Sequence, residues 1–286
     1  MSKWKNLMRR DMEIKGLAKS TVDNYIWEMD KLAKYYGKAP NKLKLKELLE
    51  FQHHMVKTHV SGSRYKMSVA AMRWFFRHTF PKEWSVEKLY YKKERKNLPV
   101  VFNRDEIIKI LEGCTNLKYK TIISFSYSCG LRISEILKLE VKDIDSVRML
   151  VHVRGGKGGK DRYTPLAQKH LELLRSYYKQ NHLKIKDYLF PGKQGHIDKS
   201  TVNGYLKDLR IKLGITKHGT FHTLRHSFAT HLLEDGVNIL VIQRLLGHTS
   251  LKTTMIYLHI ANNYIKRAHS PLDTLYSEVS IDHNEE

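Results

Sequence analysis

The first third of the chain carries apolar side chains at the spacing of three amphipathic helices. The first stripe follows Ser20, a candidate N-cap, and ends before Gly37. Its members are Val22, Tyr25, Ile26, Met29, Leu32, Ala33 and Tyr36. A second stripe runs from Leu45 to Val56, and a third occupies "SRYKMSVAAMRWFFRHTF". We therefore expect residues 1–87 to form a small helical domain.

A break in this pattern separates the helical region from a second domain. Residues 88–99 contain the basic run "LYYKKERKNLP", which has no helical stripe and closes on a proline, as expected of an interdomain linker. Order is predicted to resume at Asn103, whose side chain can cap a helix together with Glu106 three residues later. The second domain is assigned to residues 100–269. The polar, acidic residues 270–286 are expected to form a mobile tail.

The second domain is also predicted to be largely helical. Helices are expected over Arg104 to Glu112, Tyr119 to Ser128 and Ser134 to Leu139, then from Ala167, and again around Ser200 to Leu213. The second of these is apolar on too many sides for a surface helix, so we expect it to be buried. In "MLVHVRGGKGGKDRYTPL" the period changes to two around a glycine-rich turn, which predicts a β-hairpin. The predicted fold class is therefore mainly α, with a small β-hairpin or sheet.

The charge of the chain indicates a polyanionic partner. Lys and Arg number 51 against 29 Asp and Glu, a net charge of +22 that would repel itself without such a partner. The longest apolar stretch without charge, Thr121 to Leu131, is too short to span a bilayer, which favours nucleic acid over a membrane. The basic residues of the third helix and of the linker are predicted to contact DNA, with a solvated surface as the alternative for each. They are Arg64, Lys66, Arg73, Arg77, Lys92, Lys93, Arg95 and Lys96.

The N-terminal residues and the cysteine count predict a cytoplasmic protein. The stretch "MSKWKNLMRRD" has neither the apolar segment nor the cleavage site of an export signal. Cys114 and Cys129 are too few for a disulfide framework or a metal cluster, as expected under reducing conditions. We expect both to be core residues.

Two short segments place cationic side chains where they could bind an anion. In "SCGLRISEIL", Arg132 follows a glycine and precedes a short helix, although it could equally pair with Glu135 on the surface. In "RGGKGGKDR", Lys157 stands at the tip of the hairpin between glycines, where the alternative is an ordinary flexible turn. A phosphate-binding P-loop does not fit, because Arg154 and Asp161 occupy the positions that need glycine and Ser or Thr.

The segment "GTFHTLRHSFATHLLEDG" predicts a helix with two different faces. An apolar stripe at helical spacing is expected in the core, and it consists of Phe221, Leu224, Phe228 and Leu232. His222, Arg225 and His226 share another face, which packing does not require and which an anion would neutralise. Zinc is the alternative for the two histidines, but the glutamate of H-E-x-x-H and a third ligand are missing. We therefore predict no metal.

The last two predicted helices place a histidine and a tyrosine close together along the chain. A short helix, Ile239 to Leu246, is closed by Gly247, so that His248 stands just past its end. Ser250 can cap the next helix, and Tyr257 would lie about two turns inside it among apolar neighbours. Taken alone, such a tyrosine is usually a core residue.

The combination of these residues changes that interpretation. Two arginines, a lysine, several histidines and a tyrosine occur together without a carboxylate pair or a metal motif. Cationic groups stabilise the charge that develops on a phosphoryl oxygen under attack, and a tyrosine can supply the covalent nucleophile. Because the ordinary pKa of tyrosine is about 10, the nucleophile also needs a base and a positive potential nearby.

The order of Arg132, Lys157, "HTLRH", "GH" and Tyr257 resembles the tyrosine recombinases: phage integrases, Xer-type resolvases and integron integrases. The similar blocks are "GLRISE", "GGKGGKDRYTPL", "FHTLRHSFATHLLEDG" and "LLGHTSLKTTMIYLHI", and the resemblance covers nearly the whole chain as far as Tyr257. The last two blocks are most similar to Xer and integron integrases, although the insertion that marks integron enzymes before "HTLRH" is missing.

The resemblance implies a role for each matching residue in binding the scissile phosphate. Arg132 and Arg225 would hold its non-bridging oxygens, His248 would add a donor, and Glu135 would support the site.

The same resemblance implies the chemistry of strand cleavage. Tyr257 would attack phosphorus to form a 3′-phosphotyrosyl link, His222 would accept its proton or bind the phosphate, and Lys157 would protonate the leaving 5′-oxygen. No metal, ATP or other cofactor would be needed, because a 5′-hydroxyl reverses the reaction.

The resemblance further implies a two-domain clamp on double-stranded DNA that carries specific recombination sites. Four protomers would form the synapse, with accessory proteins left unspecified and no membrane involved. Two alternatives stay open at this stage, a type IB topoisomerase and a DNA-binding protein without catalysis.

Overall fold

The computed structural model describes residues 3–82, 84, 86–92, 98–156, 161–193 and 195–260. The chain divides into two compact units, Met1–Lys96 and Asn97–Glu286. Several residues singled out above lie outside the described residues: Lys93, Arg95, Lys96, Lys157 and the predicted tail at 270–286.

The first unit is a helical bundle, as the sequence predicts. Its helices are α1 (Lys3–Ile14), α2 (Lys19–Tyr36), α3 (Leu45–Lys57) and α4 (Gly62–Trp74), and α4 continues into a π-helical turn at Phe75–Thr79. The core between them contains Met8, Met29, Leu32, Val69 and Phe75, all of which are fully buried.

Two details of the first unit differ from the sequence prediction. Helix α1 was not predicted, although Trp4, Met8 and Met12 stand four residues apart and bury one face of it. Ser20 is not the N-cap, because α2 already begins at Lys19, and Ala18 at the N-cap position provides no side-chain hydrogen bond. Apolar spacing therefore located α2 correctly, whereas the capping signal did not.

The second unit contains eight described helices and a small sheet. The helices are α5 (Arg104–Gly113), α6 (Leu117–Ser128), α7 (Ile133–Ile136), α8 (Gln168–Asn181), α9 (Lys199–Lys212), α10 (Phe221–Glu234), α11 (Ile239–Leu246) and α12 (Leu251–Thr254). The strands are β1 (Ile144–Asp145), β2 (Leu150–Val153) and β3 (Arg162–Pro165), which pair antiparallel in the order β1-β2-β3. The predicted fold class, mainly α with a small sheet, is confirmed.

Local signals predicted most of these elements. The capping box of α5 is present, with Asn103 Oδ1 accepting from the Glu106 N–H at 2.7 Å and Glu106 Oε2 accepting from the Asn103 N–H at 2.8 Å. The predicted hairpin is β2–β3, in which His152 faces Tyr163. Helix α6 is buried as expected, and so are both cysteines. Helix α7 is shorter than predicted and ends at Ile136.

Helix α10 occupies the centre of the second unit. Phe221 and Leu224 belong to the large core that also contains α6, while Phe228 belongs to a smaller cluster with Leu246 and Tyr257. Because α10 packs against both clusters, its orientation is fixed, and so is the direction of its remaining face. That face carries His222 and Arg225.

Candidate active site

A glycine turn delivers Arg132 to the site. Gly130 has a φ of 62°, and a Cβ atom added there would lie 2.4 Å from the ring of Phe228, so only glycine fits the turn. Two residues later Arg132 is the N-cap of α7, where its backbone N–H donates to Glu135 Oε2 at 2.8 Å. Its guanidinium Nη1 also donates to Glu135 Oε1 at 2.7 Å. The ion pair considered from sequence is therefore present, and it orients Arg132 at the edge of a cavity.

Glu135 is the buried carboxylate around which three arginines meet. Besides Arg132, it accepts from Arg162 Nη1 at 3.0 Å and Arg162 Nη2 at 2.8 Å, and Arg225 Nη1 lies 3.8 Å away. Burial alone would raise the pKa of Glu135, but hydrogen bonds and charge from Arg162, together with bonds from Arg132, lower it to about 2. Glu135 is thus an anion at neutral pH, and it holds the cations of the site in place.

Arg162 is a member of this network that sequence reasoning missed. Its side chain is 9% exposed, and its Nε donates to the carbonyl oxygen of Leu245 at 2.8 Å. It therefore links strand β3 to Glu135 and to the last turn of α11. Alternation along β3 is a signal that could have found it, because Arg162 shares a strand face with the fully buried Thr164.

Arg225 is fixed by two backbone carbonyls. Its Nη1 donates to Gly130 at 2.7 Å and its Nη2 to Leu246 at 2.5 Å, and the residue is 2% exposed. Burial, and then the charge of Arg132, lowers the pKa of this guanidinium to about 9, so it stays cationic at neutral pH. Arg225 ties the turn before Arg132 to the end of α11.

Two histidines flank these arginines. His222 is exposed on the first turn of α10, and partial burial followed by the charges of Arg225 and Arg132 lowers its pKa. His248 follows Gly247, which ends α11 with a φ of 62°. The Nδ1 atom of His248 lies 3.0 Å from the hydroxyl of the buried Thr254. Both rings line the cavity that Arg132 enters.

Tyr257 lies deeper than its sequence context predicts. Helix α12 ends at Thr254 and the chain continues as a 3₁₀ turn, Met255–His259, so Tyr257 is not two turns inside an α-helix. The residue is 1% exposed, and its hydroxyl oxygen lies 2.9 Å from Nδ1 of His226. Burial raises the pKa of Tyr257 to about 12, against the opposing effect of Arg225 and Arg132. The hydroxyl is therefore protonated at neutral pH.

A cavity of about 290 Å³ joins the predicted catalytic residues that the structure describes. Its walls include Arg132, His222, Arg225, His248 and Tyr257, together with His226, and Glu135 lies behind them. A wider groove of about 840 Å³ shares Arg132 and His222 and adds basic side chains of α9. Two fixed cations can bind a phosphate, and a tyrosine hydroxyl beside them can attack its phosphorus atom.

The predicted DNA contacts of the first unit are partly occupied with internal bonds. Arg64 lies 4.1 Å from the ring centre of Trp27, and Arg77 pairs with Glu87 at 2.5 Å. Arg73 donates to the Leu89 carbonyl from two nitrogens, at 2.9 and 2.7 Å. Lys66 is half-buried on α4 and Lys92 is exposed. Contact of these residues with DNA stays a prediction.

Two further findings concern the described residues only. They contain no group of three or more His, Cys, Asp or Glu side chains arranged as metal ligands. None of the helices in the described part of the chain is long and apolar enough to cross a membrane.

The second unit is a helical domain whose cavity brings two arginines and three histidines together with a tyrosine, and sequence comparison identifies the family. The model of the phage integrase family matches residues 101–263, and that of the phage integrase N-terminal SAM-like domain matches residues 4–86. The chain belongs to the phage integrase family, the tyrosine recombinases, which confirms the resemblance seen in its motifs.

Individual relatives support the same assignment. The chain is 35% identical over 261 residues to a tyrosine recombinase of Thermosipho africanus, covering 86% of this chain and 90% of the relative. It is 34% identical over 264 residues to the tyrosine recombinase XerA of Pyrococcus horikoshii, covering 90% and 89%. Its fold is similar to that of XerH site-specific recombinase bound to a palindromic difH substrate, a post-cleavage complex, with a TM-score of 0.70, 24% identity and coverage of 88% and 80%.

Proposed function

We propose that this protein is a site-specific DNA recombinase in which Tyr257 cleaves and rejoins DNA strands. The observation that carries the proposal is the shared cavity, in which the tyrosine hydroxyl stands beside Arg132 and Arg225. Relatives that are named tyrosine recombinases match most of the chain, which supports the same enzyme class.

The scissile phosphate would enter the cavity and bind the two arginines. Arg132 and Arg225 are held by Glu135 and by backbone carbonyls, so their positions are set before DNA arrives. Donors fixed in advance stabilise the charge that develops in the transition state without reorganisation. His222 and His248, on the same walls, would donate to the remaining phosphate oxygens or, for His222, accept a proton.

Cleavage would conserve the energy of the phosphodiester. Tyr257 forms a bond to phosphorus, the bond to the 5′-oxygen breaks, and that oxygen takes a proton from a general acid. Lys157 is our proposal for this acid, from the resemblance of its motif. Attack by the 5′-hydroxyl of a partner strand on the phosphotyrosine reverses these steps, so that the chemistry consumes neither water nor ATP.

The substrate and assembly belong to the same proposal. The substrate is double-stranded DNA with defined recombination sites, and related recombinases are known in DNA-bound structures. Recombination between two sites needs two strands cut on each, which four protomers on DNA would supply. The basic side chains of the first unit and of the linker would bind phosphates, and the reaction would take place in the cytoplasm.

A covalent adduct on a nicked suicide substrate tests the proposal. The intact protein should form an SDS-resistant protein–DNA adduct, and Tyr257→Phe should abolish it while DNA binding stays within a few fold. Tyr178→Phe is the matched control, since this tyrosine is exposed on α8 and lies outside the cavity. An adduct that survives Tyr257→Phe would remove Tyr257 as the nucleophile.

Two further assays separate the alternatives. Exchange between two defined sites distinguishes a recombinase from a type IB topoisomerase, which would relax supercoils without it. Lys157→Ala should be rescued by a substrate whose leaving 5′-oxygen is replaced by sulfur, because a thiolate leaves without a proton. If sulfur gives no rescue, Lys157 is not the acid.

A further inference from the structure

The hydroxyl of Tyr257 is held by a histidine to which the family resemblance gave no role. His226 Nδ1 lies 2.9 Å from the Tyr257 oxygen, and the two ring centres are 5.7 Å apart. His222, for which the resemblance implied either acceptance of the tyrosine proton or a bond to the phosphate, lies one turn earlier on α10. Its ring centre is 5.8 Å from that of His226, at the exposed end of the helix. The geometry favours His226 for contact with the reacting oxygen and His222 for contact with DNA.

The surroundings of His226 keep the ring neutral. His222 and Arg225 face it from its own helix, Tyr257 faces it from the 3₁₀ turn, and Arg132 and His248 share the cavity. Burial, then His222 and Arg225, lower the pKa of His226 to about 4. A neutral imidazole has a lone pair with which it can accept a proton, whereas an imidazolium has none.

The backbone of His226 is rigid. The neighbouring Arg225 is bonded to two carbonyls, and the Ser227 hydroxyl donates to Thr223 and accepts from the Phe102 N–H at 2.9 Å in each case. The residue therefore stands between two anchored neighbours on a buried helix. A base in such a position can stay aligned with the tyrosine while DNA enters.

We propose that His226 accepts the proton of Tyr257 as its oxygen attacks the scissile phosphate. This inference rests on the proposed function and names the base for it. The Oη–P bond forms while the phenolic proton moves to Nδ1 of His226, and the P–O5′ bond breaks as the 5′-oxygen takes its proton from the general acid. In the rejoining step the imidazolium returns the proton to the phenolate that leaves phosphorus.

The pKa values of His226 and Tyr257 imply that the tyrosine is activated only when a phosphate binds. A pKa of about 4 for His226 and of about 12 for Tyr257 keeps the proton on the tyrosine oxygen at neutral pH. A bound phosphate adds negative charge between Arg132, Arg225 and the histidines. This charge favours the imidazolium, so it raises the pKa of His226 and reduces the difference between the pKa values of His226 and Tyr257. Substrate binding would thereby activate the base.

The test compares His226→Asn and His226→Gln with His231→Asn in single-turnover cleavage of the nicked substrate. The amides can still hydrogen-bond to the tyrosine but cannot take its proton, so each should slow cleavage by about 10²–10⁴-fold, with DNA affinity within a few fold. His231 is a matched control on α10, since its Nδ1 also lies 3.0 Å from a tyrosine hydroxyl, that of Tyr127. His231→Asn should cleave within a few fold of the unchanged protein.

A fluorinated tyrosine at position 257 distinguishes a proton acceptor from a residue that only maintains the structure, because it changes the cleavage rate only if proton transfer limits that rate. Its phenol ionises at lower pH and depends less on a base. His226→Asn with the fluorinated tyrosine should therefore cleave at least tenfold faster than His226→Asn with ordinary tyrosine. Cleavage by His226→Asn and His226→Gln at the normal rate would overturn the inference, and so would a loss that the fluorinated tyrosine does not recover. Failure of the proposed function is distinct, because the unchanged protein would then form no adduct.

Discussion

Replacing Arg162 with methionine should destabilise the second unit although the residue lies outside the cavity. The substitution keeps much of the side-chain length but removes the guanidinium that bonds twice to Glu135 and once to the Leu245 carbonyl. Glu135 keeps its bonds from Arg132. Breaking a buried ion pair costs about 3–5 kcal/mol. Because one partner remains, we expect the lower end, about 3 kcal/mol.

The tryptophans provide an internal control for this measurement. Trp4, Trp27, Trp74 and Trp84 all precede residue 97, so tryptophan fluorescence follows the first unit, whereas far-UV circular dichroism follows the helices of both. In urea, Arg162→Met should shift the dichroism transition attributable to the second unit and leave the fluorescence transition in place.

Two comparisons test whether the free energy lost in Arg162→Met comes from the buried network: a surface ion pair and a double mutant. Arg104 and Asp235 pair at 2.7 Å with both side chains 53% exposed, so Arg104→Met should cost no more than about 1 kcal/mol. Glu135→Gln combined with Arg162→Met should cost less than the two single changes together, with a coupling of about 1–3 kcal/mol. If Arg162→Met costs no more than Arg104→Met, the buried network does not stabilise the site.

Three further predictions follow from the same structure. Since the pKa of Glu135 is lowered from 4.5 to about 2, about 3 kcal/mol of stability should be fully present above pH 4.5 and lost as the pH falls towards 2. Measuring the free energy of unfolding between neutral pH and pH 2 checks this, because Glu135→Gln should lack this part of the pH dependence. Gly130→Ala should cost more than Gly214→Ala in thermal unfolding, because both glycines have positive φ but only Gly130 is crowded, by Phe228. Lys92→Gln should weaken DNA binding equally for all sequences and lower the salt dependence by about one ion if this lysine contacts a phosphate, and an unchanged slope would refute the contact.

The amino-acid sequence determined those parts of the fold that depend on neighbours along the chain. The capping box of Asn103 and Glu106, the stripe of α10 and the period-two hairpin are local patterns, and each is present in the structure. The order of the motifs was enough to assign the family. The same local reasoning misplaced the cap of α2 and the end of α7, where the competing choices differ by little free energy.

Only the tertiary structure decided which of the polar residues act on one another. Arg162 meets Glu135 across 27 residues, and His226 meets Tyr257 across 31. Neither pair has a periodicity or spacing that would reveal it, because both depend on how α10, β3 and the last 3₁₀ turn pack in three dimensions. Packing also placed the Tyr257 hydroxyl against a neutral histidine, fixed Arg225 on two backbone carbonyls and fixed Arg132 on the Glu135 carboxylate. A tyrosine that its neighbours along the chain describe as a core residue thus becomes part of a cavity that Arg132 and Arg225 also line.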